Sequence, residues 1–533
     1  MSVPAAAAEF DRDEVALLQR YFTNVDGHVF ALRNLPEVVK GALFSRYSRT
    51  EKSLRRVLLD EFLNEPAAGL RRDLPEAPDE LVATGRAEEF YQRVLVGYGD
   101  DSVAELAGAH LAIERVSTLA AKALEDSRIG ISPLEKSTRY VRFDRPGPDG
   151  RFLYYRGPEL GHRLYQPAMD DLFRTYSELV GPLTEAVRAR YPLEEGETER
   201  AWKSATRAKA LDLLRGLLPA SALTNLGLYG NGRAFEYLVT KTWASDLPEC
   251  RQLALDMHAE LSKVIPAFVR RALDERHGSP AAARLALARR KLGALAPARR
   301  CQPAPVSVRL VEADADAERK VVAAALFPHA DLPLHELAGS GVPVEGALRA
   351  LMGYRGNRRH RAPRALENVS YTFEIVANFG AYRDLQRHRM LTQDRQLLGT
   401  DLGCDVPEEL EQFGMGERFQ RSMELAAHAH RLLEPAVGPV LAQYAVPLAF
   451  RLRWYFRANL REVYHLCELR TTPQGHPDYR RVAQEMFRRV REVHPRLAEY
   501  ARFVDLGPGD ELERRASERR IDDRLNQLDG SPG

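Results

Sequence analysis

Cysteine is scarce in this chain. Cys250, Cys301, Cys404 and Cys467 are the four cysteines in 533 residues, and none forms a Cys-x-x-Cys pair. That excludes a disulfide framework and a zinc ribbon, and a reducing compartment follows. An excess of one charge is also missing, with 77 Lys+Arg against 75 Asp+Glu. Bulk charge therefore selects no polyanionic partner, and any anion site must come from a local cluster. Nucleic acid is not expected as a partner. The longest apolar stretch, residues 433–450, is broken by Glu434, Pro435, Pro439, Gln443 and Pro447, so no membrane span is expected. Residues 1–10 have an alanine run but no basic segment, and Asp11, Asp13 and Glu14 follow at once. A secretory signal is not expected, and a cytoplasmic location is. The sequence has no glycine-rich dinucleotide loop, no P-loop and no Gly-x-Ser-x-Gly elbow. His428-Ala429-His430 lacks ligand spacing, so no metal is expected.

What is present is a long chain with a weak internal repeat. Its length favours two or more domains. Pro219 precedes Asn231-Gly232-Arg233 by the same count as Pro447 precedes Asn459-Leu460-Arg461, and Glu105 stands ahead of the first half's motifs much as Glu367 does in the second. The pattern predicts a repeat unit over 1–276, a linker over 277–304 with a basic helix inside it, a second unit over 305–506 and a polar tail over 507–533, an exposed helix or disorder. Helices are expected over 36–62, 79–96, 117–126, 165–190, 202–275 and 416–502. Strands are expected over 110–115, 138–143, 306–311 and 371–379, the last feeding a helix that carries Arg387.

Several polar groups stand out, each with a plainer alternative. Arg387-His388-Arg389 within one helical turn could fan over a phosphate or an electron-rich ring, or be a solvated basic face. Ser137 and Arg139 share a face if their segment is a strand, suiting a phosphate or a uracil edge, or simply a surface strand. Asn459 and Arg470 lie about three helical turns apart, suiting an imide and a phosphate, or an inter-helix polar network. The basic run 358–364 could meet an anion or a nucleic acid, although a solvated loop accounts for it with so few aromatics nearby.

Taken together, these residues resemble the flavin-dependent thymidylate synthase family, in a diverged tandem-fused form. In that family Arg-His-Arg is followed after seven residues by Ser-x-Arg-Tyr. Here Arg387-His388-Arg389 keeps the first piece but has Leu397 and Gly399 where Ser and Arg are expected. Ser137-Thr138-Arg139-Tyr140 keeps the second piece but has Asp126-Ser127-Arg128 ahead of it. Arg215 before Pro219 matches a family substrate contact that becomes Gln443 in the second half. Arg470 matches a phosphate contact, and Lys241-Thr242 stand in its place in the first half. Asp384 stands where the family has a substrate-contacting Gln.

The resemblance implies an α/β (α+β) fold of two fused units, each a small sheet packed with long helices. It implies FAD as cofactor, NADPH and methylenetetrahydrofolate as co-substrates, and dUMP methylated to dTMP without a covalent nucleophile. It assigns Arg387, His388, Arg389, Asn459, Arg461, Ser48 and Ser102 to the cofactor and Ser137, Arg139, Arg215 and Arg470 to the substrate. The split motifs imply a composite site between the halves and a homodimer that mimics the family's tetramer. The alternative is a non-catalytic flavin- or nucleotide-binding paralogue.

Overall fold

The structure is a computed structural model that describes residues 9–63, 104–127, 129–297, 302–509 and 511–529. The helix expected over 79–96 lies outside these residues, as do Ser102 and Arg128. By internal contact the chain falls into two units, one of Met1–His162 with Ala220–Arg300, the other of Arg163–Pro219 with Cys301–Gly533. The division at 277–304 remains a proposal about the repeat, and contact groups residues 163–219 with the second half.

The first unit carries a four-stranded antiparallel sheet in the order β1-β2-β4-β3. Its strands are β1 (Val29–Leu32), β2 (Gly108–Ser117), β3 (Ile131–Glu135) and β4 (Leu223–Asn231). A bulge interrupts β2 between Ile113 and Val116, where Arg115 takes φ 55° and its N–H finds Asn225 Oδ1 at 3.1 Å. One core of this unit gathers Phe22, Phe30, Leu43, Phe44, Tyr47, Leu54, Val57 and Leu58.

The second unit repeats the topology, again wholly antiparallel, in the order β5-β6-β8-β7. Its strands are β5 (Ser307–Ala313), β6 (Ser370–Asn378), β7 (Leu391–Arg395) and β8 (Arg451–Asn459). Tyr371, Phe373 and Ile375 of β6 and Trp454 and Phe456 of β8 are buried, together with Val482, Met486 and Val490 of the helix Pro477–Val493. The helix Tyr165–Arg190 joins this unit and packs along Gly416–Val437, where the hydroxyls of Thr175 and Ser422 meet at 2.8 Å.

Several expected elements fall elsewhere. The helix over 36–62 breaks after Tyr47 and resumes at Leu54, capped by Ser53. The 202–275 stretch contains β4, hidden from a propensity reading by Gly227 and Gly230. A Cβ at Gly227 would lie 2.4 Å from the Phe44 ring, so close packing demands the glycine there. The 416–502 stretch contains β8, although Leu452, Trp454, Phe456 and Ala458 alternate with exposed or half-buried neighbours as a strand should. Residues 138–143 form a turn rather than a strand, because Ser137 Oγ accepts the Arg139 N–H at 3.2 Å. The true strand, β3, runs just before it at a sheet edge that tolerates Pro133. The linker holds the helix Gly278–Leu295.

Residues 515–529 form a helix, and its chain docks within the second unit. Leu512 and Glu513 are buried, and Arg515 bonds Glu197 at 3.2 Å.

Candidate functional site

Each sheet feeds two short strand-to-helix corners. In the first unit Ser117 caps the helix Thr118–Glu125 and Asn231 caps Gly232–Trp243. In the second, Asn378 caps Phe379–Leu385 and Asn459 caps Leu460–Arg470. Each cap oxygen accepts a backbone N–H three residues on, at 3.0, 2.8, 2.8 and 2.9 Å respectively, which supplies an otherwise orphaned donor of the first turn. Counting from the caps puts residues of the two halves in register: Asp126 with Arg387, Ser127 with His388, Ala234 with Glu462, and Thr242 with Arg470.

This register revises three expected roles. Asn459 spends its side-chain oxygen on the cap. Arg461 donates to the Ala362 carbonyl at 2.8 Å and pairs with Glu367, just as Arg233 pairs with Glu105 at 2.8 Å in the first unit. Arg387-His388-Arg389 is not helical: its helix ends at Leu385, and the triplet forms the turn into β7. Arg387 and Arg389 are therefore exposed while His388 points inward at 4% exposure, so the three heads do not fan over one ligand.

The inward side of that corner is the candidate site. Arg215 ends the helix Glu199–Leu214 and is buried. Its Nη1 donates to Asp384 Oδ2 at 3.0 Å, while its Nη2 is buried with no hydrogen-bond partner among the described residues. Gly380 allows that close approach, since a Cβ there would lie 3.2 Å from Nη2. Arg387 Nη2 lies 3.4 Å from Asp384 Oδ1, and the same carboxylate acts electrostatically on Arg470. Asp384 thus meets two guanidiniums directly and a third electrostatically, while Asp478 acts on Arg215 and Glu462 on Arg470. A cavity of about 690 Å³ opens beside Arg215, lined also by Lys209, Asp212, Asn378, His476 and Asp478. Burial pushes Asp478 up, but His476, Arg215 and the Asn378 amide outweigh it and hold the carboxyl below its ordinary range.

His388 is engaged on both ring nitrogens. Nδ1 lies 2.7 Å from Glu462 Oε1, and Nε2 accepts from Arg470 Nε at 3.0 Å. The proton must then sit on Nδ1. Burial, with Arg470 and His465 adding to it, holds the ring well below its ordinary pKa, while burial raises Glu462. His388, Glu462 and His465 bring ligand atoms within 4.8 Å of one another, a set that could hold a metal. The guanidinium on Nε2 and the proton on Nδ1 leave this ring no lone pair to offer one. Sequence reasoning missed Glu462: an acid three residues after a cap suggests a bond back to the cap backbone, and nothing in the sequence brings it to His388.

The other expected residues lie in the first unit. Ser48 ends the helix Glu37–Tyr47, its hydroxyl donates to Ser45 O at 3.0 Å, and its carbonyl accepts the Ser137 N–H at 2.9 Å. Arg139 is half-buried in the turn that follows. The first unit's corner carries different chemistry from the second's. Lys122 is fully buried against Glu125 and lies 2.8 Å from Glu135.

A four-stranded antiparallel sheet repeated with the same strand order and the same capped strand-to-helix corners makes this a tandem α/β protein. Residues 57–267 and 309–496 match the family described as "Thymidylate synthase complementing protein", and the chain belongs to that family, in tandem-fused form. A UPF0159 protein of Chlamydia muridarum is 44% identical over 516 residues, covering 94% of this chain and 97% of its own. A flavin-dependent thymidylate synthase of Geobacter sulfurreducens is 27% identical over 215 residues, 38% of this chain but 88% of its own length. It therefore spans little more than one repeat. A solved structure of a UMP/dUMP methylase, PolB from Streptomyces cacaoi with 5-Br dUMP, is 22% identical over 37% of this chain and 95% of its own, with TM-score 0.30. Among the described residues no helix is long and apolar enough to cross a membrane.

Proposed function

We propose that the chain is a flavin-dependent thymidylate synthase with one working site per chain, converting dUMP to dTMP with FAD, methylenetetrahydrofolate and NADPH. The observation that carries this reading is the gathering of Arg215, Arg387 and Arg470 on Asp384. Arg215 Nη2, buried with no hydrogen-bond partner among the described residues, is a donor suited to a phosphate monoester. Arg215 comes from the first repeat and the other two arginines from the second, in line with a composite site. The reading keeps Ser137 and Arg139 as substrate residues, Ser48 and Ser102 as cofactor residues, and a homodimer in the cytoplasm.

The flavin, when bound, supplies the hydride chemistry. Arg389, exposed at the turn into β7, is the residue that would hold it, and Arg387 is kept for the phosphate beside Asp384. The arginine cluster binds and orients the nucleotide phosphate, and Asp384 holds the guanidiniums in place before the ligand arrives. The commitment of Asn459 and Arg461 to protein groups favours a second reading, a paralogue that binds a nucleotide without methylating it.

The test is the visible spectrum of the purified protein with FAD, followed by dUMP titration and an assay for release of tritium from C5 of labelled dUMP. An enzyme shows retained flavin bands, binds one dUMP per chain and releases tritium. Binding without release selects the paralogue. Failure to bind dUMP overturns both readings.

A further inference from the structure

The geometry points to a positioning relay in which Glu462 orients His388 and His388 fixes the guanidinium of Arg470, resting on the anion-site reading above. His388 is too deeply buried to touch a ligand, yet both of its ring nitrogens are engaged. An imidazole that donates at one nitrogen and accepts at the other is neutral, and the Glu462 carboxylate selects which nitrogen carries the proton. That leaves Nε2 as an acceptor for Arg470 Nε. With Nε held there, the guanidinium carbon 5.5 Å from the Tyr479 ring centre and the Tyr479 hydroxyl taking a further hydrogen bond, the orientation of the remaining Nη–H donors is fixed toward an oxyanion. A lysine could not serve both directions at once.

The other copy supplies independent support. At the positions of Glu462, His388 and Arg470, the first unit has Ala234, Ser127 and Thr242, so all three relay members are missing together. Its caps and its Arg233–Glu105 pair persist, so the framework does not need the relay. A role confined to holding the fold would leave no reason for the three to be absent as a set.

The test uses the full chain and calorimetric binding of dUMP and of deoxyuridine, which lacks the phosphate. Glu462→Leu and His388→Leu should each weaken dUMP binding by on the order of tenfold or more and leave deoxyuridine unchanged. Glu462→Leu added to Arg470→Leu should cost nothing further, and Glu462→Gln, which keeps an acceptor, should restore most of the loss. Additive losses, or equal losses for deoxyuridine, overturn the relay while leaving the phosphate site standing. If the wild-type protein binds no dUMP, the anion-site reading fails, and the relay is judged by ¹⁵N-histidine NMR of the wild type. A neutral ring protonated on Nδ1 supports it. A ring protonated on Nε2, or on both nitrogens, overturns it. The NMR readout also decides the matter if the leucine variants do not fold.

Discussion

The corner after Ser117 and the corner after Asn378 share a cap, a short helix and an antiparallel edge strand, but they differ in the charge they bury. The first encloses Lys122 between Glu125 and Glu135, and the cation is consumed by its own neighbours. The second brings Arg215 and Arg387 to Asp384, which also acts on Arg470, and leaves Arg215 Nη2 with no hydrogen-bond partner among the described residues. A duplicated fold thus holds its framework constant while its two corners bury different charge. On the function proposed above, the second corner takes an anion with the help of Arg215, which lies in the first stretch matched by the family.

The sharpest way to break the comparison is to unbalance the closed corner. Lys122→Met removes the buried cation between Glu125 and Glu135 and should destabilise the first unit by about 3–5 kcal/mol, as loss of one partner from a buried pair does. Chemical denaturation measures this, and the dUMP stoichiometry of the still-folded fraction should stay at one. A fall in stoichiometry at full folding would mean that the Lys122 corner binds ligand too.

The next effect concerns binding. Arg387→Ala removes an exposed guanidinium from the open corner and should weaken dUMP by about 1.5 kcal/mol, the low end for a charged hydrogen bond because solvent screens the group. Asp126→Ala, the residue in register with it, should change nothing. Equal effects from the two variants, measured by calorimetry, would erase the distinction between the corners.

How much of this was legible in the sequence follows the physics of each residue. Arg387, His388 and Arg470 stood out by type and spacing and Arg215 through the family resemblance, and all four lie in one contact unit. The direction of each head was not legible. Whether His388 faces in or out depends on where its helix stops, and the structure ends that helix at Leu385 with no Gly or Pro to announce it. Asn459 and Arg461 looked like ligand residues, but a cap and an ion pair use the same atoms. β8 was legible by its period of two and was overshadowed by the long helices around it. β4 was not, because its glycines answer to Phe44 and Ile131, which lie far away in the sequence.

Acid sharpens the comparison through one histidine in each unit. Burial depresses His388 in the second unit and His110 in the first below the ordinary value of 6.5. Above that pH both rings are neutral whether folded or unfolded, and stability is complete. Below it, the unfolded chain takes up a proton that the folded one refuses. Each unit should then lose up to about 1.4 kcal/mol per pH unit until the folded pKa is reached. His388→Gln should flatten the slope for the second unit alone and His110→Gln for the first, read from denaturation midpoints between pH 7 and pH 5.

The smallest effect tests what the two copies share. Asn231→Ala and Asn459→Ala each remove the oxygen that accepts the first free backbone N–H of a helix, at 2.8 and 2.9 Å. Each should cost about 1 kcal/mol, the usual worth of such a cap, and the two costs should agree within a few tenths. Because Asn459 acts here as a cap, its loss should leave flavin retention unchanged apart from that loss of stability. If Asn459→Ala released the flavin while Asn231→Ala matched it in stability, the cap would have a second duty in the open copy. The line between shared framework and specialised corner would then run through that single residue.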